Sequence, residues 1–263
     1  MIRPGQLVRT LLFRALSFEG YLFTISKIYF LSYNLGFLKK NPFYKYHYFL
    51  KSIVKSKDTV IDIGANMGYF SVYFSKWVGN EGTVFAVEPV EEVRNILVKN
   101  TRKIKNIKIL PYALGEDNKD IEIVNISRQD RGFIATGSNF VMDSSMPVTD
   151  ENIDKFNAVM RKGSELFSGL SKIDFIKCDV EGYEPKIIPE MEVLLKKHQP
   201  LMLIETRREK RVFMNNYLAS IGYEGFVLEN GKLIVSSSIA ERQEDDILYI
   251  PKSKVNDYKH LLA

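Results

Sequence analysis

The sequence predicts an α/β fold built on a nucleotide-binding βαβ unit, and three observations carry that expectation. Strand and helix patterns alternate from residue 58 onward. The β-branched run Thr59-Val60-Ile61-Asp62-Ile63 breaks into Gly64-Ala65-Asn66-Met67-Gly68, then into a helical stretch from Tyr69 to Val78. Twenty residues after Gly68, the second strand "TVFAVE" ends in an acid, Glu88. A helix N-terminus offers unpaired N–H groups to an anion, and glycines let a ligand approach the main chain. An acid at the tip of the second strand is placed to accept hydrogen bonds from a ribose diol. Each signal alone is weak; together, at this spacing, they point to a nucleoside ligand.

Taken in order, strands are expected at 59–63, 83–88, 107–110, 173–179 and 200–205, with helices at 68–78, 91–103, 185–197 and 208–221. A short strand at 121–125 follows the turn "LGEDNKD". "EGFVLENGKLIVS" reads as a hairpin about Asn230-Gly231, and "DDILYIP" as a last strand closed by Pro251. Residues 126–172 interrupt the alternation as an insertion before the fourth core strand. Turn residues there lead into an expected helix from about Glu151 to Leu166. An insertion of this length suits an acceptor-binding lid, set against a surface excursion outside the chemistry.

The 263 residues suffice for one sizeable domain with an appendage. One cysteine, Cys178, excludes an intramolecular disulfide and suits a reducing, cytoplasmic setting. Three histidines, none paired with a cysteine at zinc spacing, argue against a zinc site. The net charge of +5 is unevenly spread: residues 1–57 carry ten bases and one acid, Glu19, and the remainder is net negative. The division expected is a basic, aromatic helical extension over 1–57 and a catalytic domain over 58–263. In the extension, the uncharged stretch Ile28 to Leu38 is too short to span a bilayer, and no signal-peptide cleavage pattern is visible. Such a segment either lies on an anionic membrane surface, on the inner face, or covers the edge of the core with its lysines outward. No nucleic-acid partner is expected.

The turn Gly64-x-Asn66-x-Gly68 departs from G-x-G-x-x-G, so a pyrophosphate is not the obvious guest. Asp62, inside the strand end, suits a ligand with an amino group near the turn. A carboxylate, an ammonium and a ribose on one ligand describe S-adenosylmethionine (SAM) better than NAD. Asp62-x-Gly64-x-Asn66-x-Gly68-Tyr69-Phe70-Ser71, Glu88-Pro89, Tyr112-Ala113-Leu114-Gly115 and "DFIKCDVEGYE" resemble the FkbM-type methyltransferases, and "LMLIE", "GY" and "DILYIP" continue the likeness. The resemblance spans about residues 55 to 252. It implies SAM as cofactor and O-methylation, often of a sugar hydroxyl in a glycan, glycolipid or natural product. It also implies the Rossmann-like, seven-stranded class I sheet with one antiparallel strand near its edge. Carried over by position, Asp62, Gly64, Asn66 and Gly68 line the methionine end, Glu88 holds the ribose, and Ala113 borders the adenine.

A second constellation follows the strand Ile173 to Cys178: Asp179, Glu181 and Glu184, with Pro185 near the first turn of a helix. "LMLIE" likewise ends its strand in Glu205. In open α/β sheets the ligand lies beyond the carboxyl ends of the strands, so these acids converge on the site edge. Glu181 and Glu184 also lie where acids favour a helix N-terminus, and Glu184 is assigned mainly to capping. Asp179, Glu205 and Glu181 are the candidate catalytic residues. A sugar hydroxyl must lose its proton, and an ordinary aspartate is a weak base for that. Burial raises the carboxylate pKa, or the acid orients the hydroxyl, or a hard cation such as Mg²⁺ on Asp179 and Glu205 acidifies it. The metal is the least favoured of the three. His198 suits a helix C-terminus, while His47, Cys178 and Trp77 read first as packing residues.

Three functions compete. The leading one is a SAM-dependent O-methyltransferase acting on a sugar-containing, lipid-linked or free acceptor. The others are an NAD-linked oxidoreductase and a non-catalytic glycan- or membrane-binding protein that kept the fold.

Overall fold

A computed structural model describes residues 4–125, 136, 139–141, 154–235 and 245–263. Helices α1 (Pro4–Ala15), α2 (Phe18–Asn34) and α3 (Lys45–Phe49) precede the sheet. Ser17 caps α2 by accepting from the Gly20 amide. The central unit then runs β1 (Thr59–Ile63), α4 (Ser71–Val78), β2 (Thr83–Val87), α5 (Glu91–Thr101) and β3 (Ile107–Leu110). A second set comprises β4 (Ala113–Leu114), β5 (Lys119–Asn125), β6 (Asn139–Val141) and β7 (Asp154–Arg161). After the short α6 (Gly163–Leu166) come β8 (Phe175–Cys178), α7 (Glu184–Glu190), α8 (Glu192–His198), β9 (Leu201–Glu205) and α9 (Arg208–Ser220). The chain closes with β10 (Tyr223–Glu229), β11 (Lys232–Val235), β12 (Asp246–Pro251) and a 3₁₀ segment, Lys252–Leu261.

The main sheet has the order β11-β10-β12-β9-β8-β1-β2-β3. Strands β3, β2, β1, β8 and β9 are mutually parallel, and β12 inserts antiparallel between β9 and β10. Seven of these strands make the class I methyltransferase arrangement, and β11, folded back on β10, adds an eighth. The hairpin forms at Asn230 and Gly231, both at positive φ, as the sequence pattern requires. Both faces of the sheet are covered, which explains why the parallel strands are almost continuously apolar. On one face Ile61, Ile63 and Ile176 pack against Ile188, Leu195 and Met214. On the other, Val60, Val84 and Leu203 meet Phe74 and Val78 of α4 with Tyr46 and Leu50 from the N-terminal helices.

Between the third and fourth core strands the chain departs from the expected pattern. The helix expected from Glu151 to Leu166 is strand β7 over Asp154–Arg161, followed by only one helical turn. Phe156, Val159 and Met160 satisfy helical spacing, while Phe156, Ala158 and Met160 satisfy alternation. Pairing with β5, from Asn125↔Asp154 to Lys119↔Met160, decides for the strand and turns Ala158 and Met160 inward. A separate four-stranded sheet, β4-β7-β5-β6, results. Most of the expected lid, at 126–135, 137–138 and 142–153, lies outside the described residues. The helix expected at 185–197 is two short helices meeting at Met191, two residues after Pro189.

Candidate functional site

The order of the parallel strands reverses at β1, between β2 and β8, and the carboxyl ends of these strands frame a cleft. Its floor is the turn after β1. Gly64 sits at φ 75°, and a Cβ there would come within 1.9 Å of the Asp179 carbonyl oxygen. Gly68, at φ 89°, leaves room for Leu97 of α5, whose Cδ1 would lie 2.8 Å from an added Cβ. The turn is therefore clamped between the exit of β8 and α5, and its glycines are steric necessities. The Gly64 and Ala65 amides donate to the Val87 carbonyl and tie the turn to β2.

Glu88 lines the cleft from the end of β2. Its Oε2 accepts from the Asn66 amide at 2.9 Å and its Oε1 from the Val90 amide at 3.0 Å. Each oxygen keeps a second lone pair for a ligand hydroxyl. Burial pushes the carboxyl up to about 7, against the opposing pull of the two amides. Beside it, Val87, Tyr112, Ala113, Leu114 and Ile123 form an apolar wall.

Opposite lie Asp179 and Glu181, also in the cleft lining. Asp179 Oδ2 accepts from Lys177 Nζ at 3.0 Å. Lys177 is buried on β8, donates to the Gly64 carbonyl at 3.3 Å and stands 3.9 Å from Asp62 Oδ1. Burial works against its charge, but Asp179 and Asp62 more than offset it, and the ammonium is held above its ordinary pKa. Glu181, at φ 58°, accepts from Arg207 Nη2 at 3.1 Å. Burial and then the neighbouring Asp179 push its carboxyl up to about 7. Glu184, the first residue of α7, ties down the preceding loop and does not cap its helix: its Oε1 accepts from the Val180 and Gly182 amides.

The structure thus brings Gly64, Asn66, Glu88, Ala113, Asp179 and Glu181 to the cleft, whereas Asp62, Gly68 and Glu205 lie outside its lining. Asp62 is wholly buried beneath the turn, where its Oδ2 accepts from Ser71 Oγ at 2.5 Å. Burial raises its pKa, and Lys177 opposes that rise. Glu205 stands opposite Asp246 in the β9–β12 register. Burial and then Asp179 raise both of their pKa values. His47 stacks on Phe70 with ring centroids 3.9 Å apart, and burial, then Lys177, depresses it to about 3. Lys177, Asp246 and Arg207 escaped the sequence reading. A lysine inside the apolar strand "DFIKC" was the available signal for the first.

A family model described as the methyltransferase FkbM domain matches residues 62–224. The probable cobalt-precorrin-6B C(15)-methyltransferase (decarboxylating) of Saccharolobus solfataricus is 26% identical over 133 residues, 48% of this chain and 66% of that protein. Methyltransferase FkbM from Methylobacillus flagellatus, a crystal structure, is 18% identical with a TM-score of 0.47, covering 74% of this chain and 43% of its own. Aeropyrum pernix fibrillarin, crystallised with natively bound SAM, is 13% identical with a TM-score of 0.41, covering 75% and 67%. The chain spans less than two thirds of the length of the first two of these.

Proposed function

The chain belongs to the FkbM methyltransferase family, and from that premise we propose that it transfers the methyl group of SAM to a hydroxyl of a sugar-containing acceptor. The observation that carries this reading is Glu88, fixed by two backbone amides at the end of β2 and facing the cleft. A ribose diol donating to its free lone pairs would leave the adenine against Val87, Ala113 and Leu114. The methionine end would then reach Gly64, Asn66 and Asp179.

When bound, SAM supplies an electrophilic methyl group for in-line displacement. The chain's own part is to hold the acceptor oxygen in line and take its proton. Asp179, committed to Lys177, suits an orienting role. Glu181, pushed up to about 7, is better matched to proton transfer near neutral pH. Asp62 braces the turn from below, and Glu205 and Asp246, whose carboxyls burial pushes toward the neutral form, pair the end of β9 with the start of β12 nearby. No group of three or more His, Cys, Asp or Glu suited to a metal occurs among the described residues.

The test supplies methyl-tritiated SAM to the protein with extracted glycolipid and free oligosaccharide fractions. Label in the sugar, stable to mild alkali and lost in Glu181→Gln, supports the reading. Alkali-labile label, or label on carbon, overturns the sugar-hydroxyl assignment while leaving methyl transfer intact.

A further inference from the structure

Ten of the fifteen exposed large apolar side chains among the described residues lie between Leu7 and Phe43, so the exposure is concentrated in the N-terminal helices. Leu7, Val8 and Leu11 are exposed on α1, while Leu12 and Phe13 pack inward with Tyr21. On α2, Phe23, Ile28, Leu31 and Leu35 project outward, while Tyr21, Leu22, Ser26 and Tyr29 are buried on the opposite face. Phe37 and Phe43, 73% and 76% exposed, flank the exposed pair Lys39-Lys40 in the turn before α3. Both helices are thus apolar on two faces, one spent on the core and one on solvent. A soluble surface helix needs only the first.

The charge around this face has one sign. Residues 1–57 hold ten bases against Glu19, and Glu19 is already ion-paired with Lys99 of α5. We propose that the outward face of α1 and α2, with the turn from Phe37 to Phe43, docks on an anionic lipid bilayer. Leucine and phenylalanine would enter the acyl boundary, and Arg14, Lys39 and Lys40 would reach the headgroups. A second copy of the chain is the weaker occupant, because it would bring a like-charged face against this one. No helix among the described residues is long and apolar enough to cross a membrane, so contact would be peripheral.

Docking in this way sets the cleft beside the bilayer. Tyr21 and Leu22 of α2 share a packed cluster with Val90 and Ile123, and these two residues also line the cleft. Asn100 of α5 locks the arrangement, accepting from Lys27 Nζ at 2.9 Å and donating to the Met67 carbonyl at 2.9 Å. The inference stands independently of methyl transfer, since neither the surface nor its test involves turnover.

Sedimentation with phosphatidylglycerol–phosphatidylcholine vesicles and with pure phosphatidylcholine vesicles, at low and high salt, decides the matter. The expected result is binding to the anionic vesicles at low salt, at least tenfold weaker to the neutral ones, and at least fivefold weaker at high salt. Phe37→Ser/Phe43→Ser, at exposed positions, should lower anionic binding at least fivefold with an unchanged melting temperature. Absence of binding to anionic vesicles at low salt, or equal binding by the folded double variant, overturns the proposal. Concentration-dependent dimerisation abolished by the double variant, without vesicle binding, would assign the face to a second copy and also overturn it.

Discussion

Lys177 Nζ lies 3.0 Å from Asp179 Oδ2 and 3.3 Å from the Gly64 carbonyl oxygen, so one buried ammonium joins the exit of β8 to the turn after β1. The first segment carries Asp179 and Glu181 on the cleft wall, and the second forms the cleft floor. Removing the charge leaves Asp62 and Asp179 as neighbouring carboxylates without their cation. Breaking a buried pair from one side costs about 3–5 kcal/mol. Lys177→Met is therefore expected to lower stability by about that amount in urea melts, and adding Asp62→Asn should recover part of the loss. A Lys177→Met loss below ~1 kcal/mol would show that the ion pair does not hold the turn.

Gly64 makes a sharper steric prediction. Gly64→Ala would drive a Cβ into the Asp179 carbonyl at φ 75°, at a cost of about 2–4 kcal/mol. Gly231→Ala, at φ 79° with nothing within 4 Å, is expected to cost only about 1–2 kcal/mol of backbone strain. Thermal melts of the two variants measure the difference, and equal losses would contradict the close approach.

Glu88, as the proposed ribose contact, is expected to couple ligand binding to pH. Its folded pKa of about 7 lies above the ordinary carboxylate value, so protonation favours the unliganded fold. That stability is full below the ordinary pKa and is lost as pH rises through about 7. A ribose diol favours the charged carboxylate instead, so SAM affinity should rise about tenfold between pH 6 and pH 8. Calorimetry across this range checks the sign, and a Glu88→Ala variant should lose the dependence.

Glu181 predicts the matching kinetic limb. In its proposed role as base it must be deprotonated, so the methylation rate should climb as pH passes through about 7. Glu181→Gln should remove that limb and lower the rate about 10²–10⁴-fold. Asp179→Asn, which leaves Glu181 in place, should slow turnover less and keep the limb. An unaltered profile in Glu181→Gln would move the proton transfer elsewhere.

Much of this architecture was legible in the sequence because local chemistry and global fold agree there. β-branched runs, the glycine turn and Glu88 at the next strand end are local signals, and β1, β2 and β3 fall at or within one residue of their expected bounds. Strand β7 was not legible, because its apolar spacing suits both periodicities and only its partner β5, some thirty residues earlier, selects one. Asp246 was hidden for a topological reason. It begins β12, and only an antiparallel insertion beside β9 brings a strand start next to the strand end at Glu205. Asp62 shows the converse: its position beside the turn suggested a ligand contact, but its buried carboxylate is engaged with Ser71.

Titration calorimetry of the wild type and of Glu88→Ala with SAM, its demethylated product and NAD measures whether SAM binds in this cleft through Glu88. SAM and the product are expected to bind the wild type at one site, with NAD not binding. Losing hydrogen bonds to a charged acceptor should cost the variant about 1.5–3 kcal/mol, which is about tenfold to a hundredfold in affinity. Unchanged SAM affinity in a folded Glu88→Ala variant would remove Glu88 from the site, and NAD binding in place of SAM would overturn the cofactor assignment.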